Sequence, residues 1–93
     1  GEAAIMPVVL ESKRGVDEES AKLLVTKARA VAAQHGTDSA VMAALAEAEH
    51  DAGNYSEAVV AADKAIAADP RQVNAHVQKI YALYRIADDA NAD

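Results

Sequence analysis

Glu47, His50 and Asp51 are the residues of this chain best placed to do chemistry. Glu47 and His50 stand three apart, so on a helix they share a face, where a carboxylate and an imidazole could move a proton or hold a metal. The set goes no further. No second histidine lies four residues beyond His50, and the HExxH spacing that aims two imidazoles and a base from one helix face is absent. The chain has no cysteine, so thiolate catalysis, disulfides and cysteine metal sites are excluded. Ser20, Ser39 and Ser56 open helical patterns, where capping or first-turn roles account for them. No glycine-rich phosphate loop exists. Glu47, His50 and Asp51 therefore read as a solvated polar face, His35 beside Gly36 as a favourable residue at a helix C-terminus, and His76 as partly buried filler. The expectation is a chain with no catalytic residue, no cofactor site and no metal site of its own.

Recognition is the remaining kind of chemistry, and the elements decide where it sits. The 93 residues make one domain at most. Hydrophobic residues are 52% of the chain, with no Phe or Trp, three Tyr and many alanines. Alanine has the best helix propensity and lets helices approach closely. Sheets favour β-branched and aromatic residues, so the composition selects an all-α fold. Residues 1–16 read as an N-terminal arm or short helix: Pro7 interrupts the apolar run from Ile5 to Leu10, which is expected to cover something, and Gly15 closes the segment.

Four main helices follow, over about 18–34, 38 or 39–52, 55–68 and 72 or 73–87. Asp17 caps the first, with Glu18 and Glu19 at the positive end of its dipole, and Gly36 reads as its left-handed C-terminal cap. Thr37 or Asp38 caps the second, and Gly53 ends it. Asn54, with Glu57 three residues on, forms a capping-box pattern for the third. Asp69-Pro70 stops that helix, because a residue before proline leaves helical geometry. The helical domain spans 17–88, and an acidic tail at 89–93 is expected to fray. Short loops make sequential helices antiparallel hairpins.

The stretch from Ser39 to Pro70 resembles the tetratricopeptide repeat. Met42 stands at the large position early in the first helix, Leu45-Ala46 at the Leu-small pair, Gly53-Asn54-Tyr55 at the turn, Ala58 and Ala65 at the small packing positions, and Pro70 at the end. Glu49, where an aromatic is usual, and Ala62, where a larger residue is common, depart from the pattern and are expected to thin the core. Upstream, Ala21, Val25 and Ala28 echo the second helix of a degenerate repeat, whose first helix would contain Pro7. Downstream, Val73 to Ala87 fill the first-helix slot of another, with His76 and Lys79 at positions that are usually apolar.

The resemblance implies a fragment of an α-α superhelix whose groove is lined by the first helix of each hairpin. By position that gives Ala40, Ala43, Glu47 and His50, then Asn74, Val77, Tyr81 and Tyr84. The partner-binding candidates are thus Glu47, His50, Asn74, Val77, Tyr81 and Tyr84, with the two tyrosines as anchors. The same tyrosines could instead cover the edge of a terminal helix or meet a second copy. Some members of the family clamp a C-terminal carboxylate with cations, but Ala43, Glu47 and His50 hold those positions here. Apolar residues on both sides of the last helix (Val73, Val77, Ile80, Leu83, Tyr84, Ile86) are expected to leave a face for self-association or for a further helix.

Fifteen acidic residues against nine basic ones, for a formal charge of -6, disfavour nucleic acid and anionic membranes. No stretch is apolar for the roughly 20 residues that span a bilayer. Opening on Gly1 with no visible signal peptide, the chain reads as a fragment or processed form, soluble, and either cytoplasmic or periplasmic. The expected function is a non-catalytic module for protein-protein interaction. The alternative is a structural or oligomerisation segment of a larger, possibly enzymatic, bacterial protein.

Overall fold

Capping side chains set where the first two helices begin. In the computed structural model, which describes residues 17–91, the carboxylate of Asp17 accepts a hydrogen bond from the Ser20 amide at 2.8 Å, and α1 runs from there over Glu18–Gln34. Asp38 accepts from the amides of Ala40 and Val41 at 2.9 and 3.2 Å and starts α2, Ser39–Asp51. Each carboxylate satisfies donors that the first helical turn leaves unpaired. α3 covers Tyr55–Ala68 and α4 covers Val73–Ala90. All four elements are helices, and the described residues hold no strand. The expectations for residues 1–16 lie outside the described residues.

Several boundary details differ from the sequence reading. Gly53, at φ +84°, is the one residue in the left-handed region among those described, so Gly36 is not a left-handed cap; His35 ends α1 with its amide donating to the carbonyls of Val31 and Ala32. Asn54 precedes α3 but its side chain makes no capping bond; its Nδ2 donates to Glu49 instead. α4 continues through Asp88 and Asp89 to Ala90, three residues beyond the expected end. No glycine or proline follows Ile86 to stop it. His76 is exposed rather than partly buried, and its Nε2 lies 2.8 Å from the Pro70 carbonyl, closing the corner between α3 and α4.

The helices alternate in direction. Ser39, at the start of α2, donates its hydroxyl to the carbonyl of Ala65 near the end of α3 at 3.0 Å, so these two form an antiparallel hairpin. α4 packs on both α3 and α2, while α1 packs on α2. Lys79 on α4 meets Asp63 on α3 at 2.7 Å.

The seam between these rods is alanine. Ala46, Ala58, Ala62, Ala65, Ala75 and Ala82 are all 0% exposed, and Met42, Leu45 and Val25 supply what bulk the interior has. A methyl side chain keeps backbones close and leaves no room for a larger one. Replacing Ala62 by Leu is therefore expected to cost about 1–3 kcal/mol in denaturant unfolding, as overpacking does. The same change at exposed Ala67 should stay within about 0.5 kcal/mol.

Candidate interaction surface

Side chains of α2 and α4 expected to form one site divide between two of the grooves beside α2. On the α4 side, His50, Ile80, Tyr81, Tyr84 and Arg85 surround an open hollow of about 450 Å³. His50 is half-buried near the end of α2, with its ring centroid 5.5 Å from that of Tyr55 and 6.2 Å from that of Tyr81. These are contact distances for tilted aromatic pairs. Arg85, one turn beyond Tyr81, lays its guanidinium 5.3 Å from the Tyr55 ring centroid and donates from Nη2 to the Tyr55 hydroxyl at 3.0 Å. The end of α4 is thereby tied to the start of α3. Tyr84 remains 70% exposed at the mouth of the hollow.

Glu47 faces the other way. It borders a second groove, of about 340 Å³, between α1 and α2, together with Leu24, Ala28, Val31, Ala44 and Asp51. Successive turns of α2 explain the split: three residues advance the helix by about 300°, enough to carry Glu47 past the edge that His50 occupies. Ala43 is buried and lines neither groove, and Ala40 is exposed. Val77 is half-buried, and Asn74 accepts from the Gln78 side chain at 3.1 Å within α4. Asp51 Oδ1 lies 3.5 Å from His50 Nδ1.

Glu49 fills its interior position with a carboxylate rather than an apolar group. It is 4% exposed and fully bonded: Arg29 Nε and Nη2 on α1 each donate to its carboxylate at 2.8 Å, and Asn54 Nδ2 donates at 3.0 Å. The fork matches two guanidinium donors to two carboxylate oxygens, the geometry that makes such pairs strong. The Asn54 amide nitrogen also donates to the Glu49 carbonyl at 2.8 Å. One side chain thus joins α1, α2 and the turn before Tyr55, whose ring meets His50. Burial alone would raise the Glu49 pKa, but the Arg29 and Asn54 hydrogen bonds and the Arg29 charge outweigh it and hold the group below its ordinary value.

Sequence reasoning missed Arg85 as part of the hollow, and Tyr55 as the ring that Arg85 and His50 meet beside it. Ile80, Tyr81, Tyr84 and Arg85 are spaced one, three and one apart, which places them on a common side of α4, and that signal was available. The Arg85 partner, Tyr55, is thirty residues away, and no local pattern pairs them. Compared with protein-family models, with curated proteins and with solved structures, the chain matches none. No helix among the described residues is long and apolar enough to cross a membrane.

A depressed carboxylate pKa has a definite sign in stability. The Glu49 contribution is complete above its ordinary value of 4.5 and is lost as pH falls through the lower, folded value. Asp17, held down mainly by the Ser20 amide, acts in the same direction. Glu49→Gln keeps the packing and removes the charge. With Arg29 half-exposed and solvent screening part of the pair, the variant is expected to lose about 1 kcal/mol at neutral pH. Urea midpoints should then converge for the two proteins between about pH 5 and pH 2. Parallel curves would remove Glu49 from this role.

Proposed function

We propose that this chain is a non-catalytic helical repeat module of the tetratricopeptide type that binds another protein. The observation carrying the reading is the hollow itself: two tyrosines, an isoleucine, a histidine and an arginine gathered from α2 and α4 around an open concavity. Exposed aromatic side chains around a concave floor mark a surface that gains by being covered. Tyrosine and arginine are also the residue types that dominate binding energy at interfaces, since each joins large contact area to a polar group. The occupant that fits is a short protein segment that inserts one apolar side chain between Tyr81 and Tyr84 and offers acceptors to Arg85. Supporting the repeat reading are the antiparallel α2–α3 pair, the left-handed Gly53 at its turn and the packing of α4 across both.

A second reading has its own observation. Val73, Ile80 and Tyr84 lie seven and four residues apart along α4 and are 72%, 64% and 70% exposed. That stripe could pair with a second copy, making the chain a structural or oligomerisation segment. A stable pairing would need about 1,000 Å² or more of buried surface and would appear as a dimer in sedimentation.

Panning a displayed library of short peptides against the intact chain tests the first reading. Selected peptides are expected to bind with Kd near the micromolar range and to weaken about 30-fold or more with Tyr84→Ala or Tyr81→Ala. Binders indifferent to both substitutions, or a library yielding none, would count against the hollow.

The family's carboxylate clamp is expected to be absent, because Ala43 is buried and Glu47 faces the other groove. Titration with an acidic peptide carrying a free C-terminal carboxylate should show no binding tighter than about millimolar, given the chain's net charge of -6. Micromolar affinity would reverse that assignment.

A further inference from the structure

α4 is apolar on two opposite sides. At about 100° per residue, its buried residues Ala75, Gln78 and Ala82 cluster on one side, and Val73, Val77, Ile80 and Tyr84 fall within an arc of about 60° on the other. Val73, Ile80 and Tyr84 are exposed and Val77 is half-buried. Their spacing of four, three and four is the rhythm of a coiled-coil seam. Beyond Ala82 every described residue of α4 is exposed. We propose that two copies of this chain pair through this seam with their α4 helices antiparallel, Val73 of each against Tyr84 of the other and Val77 against Ile80. The pairing rests on the second reading above and gives it an orientation and a register.

Charge sets the direction. Asp88 and Asp89 stand at the C-terminal end of α4, where the helix dipole is already negative. A parallel pair would gather four carboxylates there. An antiparallel pair carries Asp88 and Asp89 of each copy to the positive end of the other α4, which has no side-chain cap and no acidic residue in its first turn and begins beside Arg71. Asp69, 4.0 Å from Arg71, is the acid at that corner, and the His76 ring there is held by the Pro70 carbonyl. Of the other cations on α4, Lys79 is paired with Asp63, and Arg85 is turned to Tyr55. Volume agrees with charge. The antiparallel register sets a valine against a larger residue in every layer, so the two axes stay evenly spaced. A parallel pair would stack Tyr84 on Tyr84 and Val73 on Val73, wedging one end apart. The seam thus complements its own reversed image, which is what a two-fold interface requires of one surface. The net charge of -6 on each copy opposes the approach, but salt at physiological strength screens it beyond about 8 Å. Ile80 and Tyr84 also border the hollow, so a second copy and a bound segment compete for them.

Sedimentation of the intact chain at physiological salt and about 100 μM is expected to show a dimer, weakened about 30-fold or more by Ile80→Lys. Ile80 is exposed and lysine is a good helix former, so the variant keeps its fold. A strict monomer would overturn both the pairing and the second reading, and a dimer indifferent to Ile80→Lys would overturn the seam. Orientation is read separately. The chain has no cysteine, so Val73→Cys and Ala87→Cys, both at exposed positions, report contacts without background when the two variants are mixed and treated with a short bismaleimide. In the antiparallel register, position 73 of one copy and position 87 of the other lie about 5 Å apart along the helix axis, and the two positions 73 about 16 Å apart. Cross-links joining one variant to the other, identified by mass, are expected to form about tenfold or more faster than those joining like to like. Faster like-to-like cross-linking, or equal rates, would overturn the antiparallel pairing while leaving a dimer, and with it the second reading, in place.

Discussion

Close approach of helices through alanine is the constraint on which the rest of this structure depends. With six alanines fully buried and no large side chain fully enclosed among the described residues, the interior is a set of backbone-to-backbone seams rather than a pool of bulky groups. Each seam removes little apolar area, at roughly 25 cal/mol per Å², so no single contact dominates. What the seams supply is geometry. Rods held this near one another have few alternative registers, because a displaced helix would drive a larger side chain into a space sized for a methyl. The bulk that alanine does not provide, Met42, Leu45 and Val25, sits around the seam rather than in it.

An alanine-rich core gives electrostatics a share in placing α1, beside the packing of Ala28 and Ala32. Glu49 occupies an interior position where an apolar side chain would ordinarily sit, and its charge is tolerable only because three donors converge on it. The arrangement is directional where an apolar contact would not be: a bidentate fork fixes both distance and angle between α1 and α2. The third donor, Asn54, passes the constraint to the corner before α3, and Tyr55 follows immediately. Arg85 closes the circuit from the far end of α4. The hollow is thus bordered by groups whose positions are set in part by charge-assisted bonds and ring contacts.

The molecule's surface is uneven for the same reason. Alanine on the inside leaves the larger apolar residues on the outside, among them Leu24, Val31, Ile80 and Tyr84. They are concentrated on α1 and α4, the first and last helices described, whereas Val60 is the large apolar side chain exposed on α3. An array that buries each helix between two others leaves its end helices half-finished.

Most of the fold was legible in the sequence because its signals are local. Helical spacing, the Asp17 and Asp38 caps, the Gly53 turn and the Asp69-Pro70 stop each act within a few residues, and α1 and α3 begin and end where the pattern places them. Tyr81 and Tyr84 were legible as neighbours from their spacing alone. What only the tertiary structure decided were the pairings across helices: that Glu49 is a bonded carboxylate and not a gap, that Asn54 serves Glu49 and not the end of α3, that Glu47 and His50 look into different grooves, and that Arg85 meets Tyr55. A residue's type states what it can bond, and its spacing states which side of its own helix it occupies. Which neighbour that side meets depends on how closely the rods approach and at what angle, and those follow from the whole alanine seam at once.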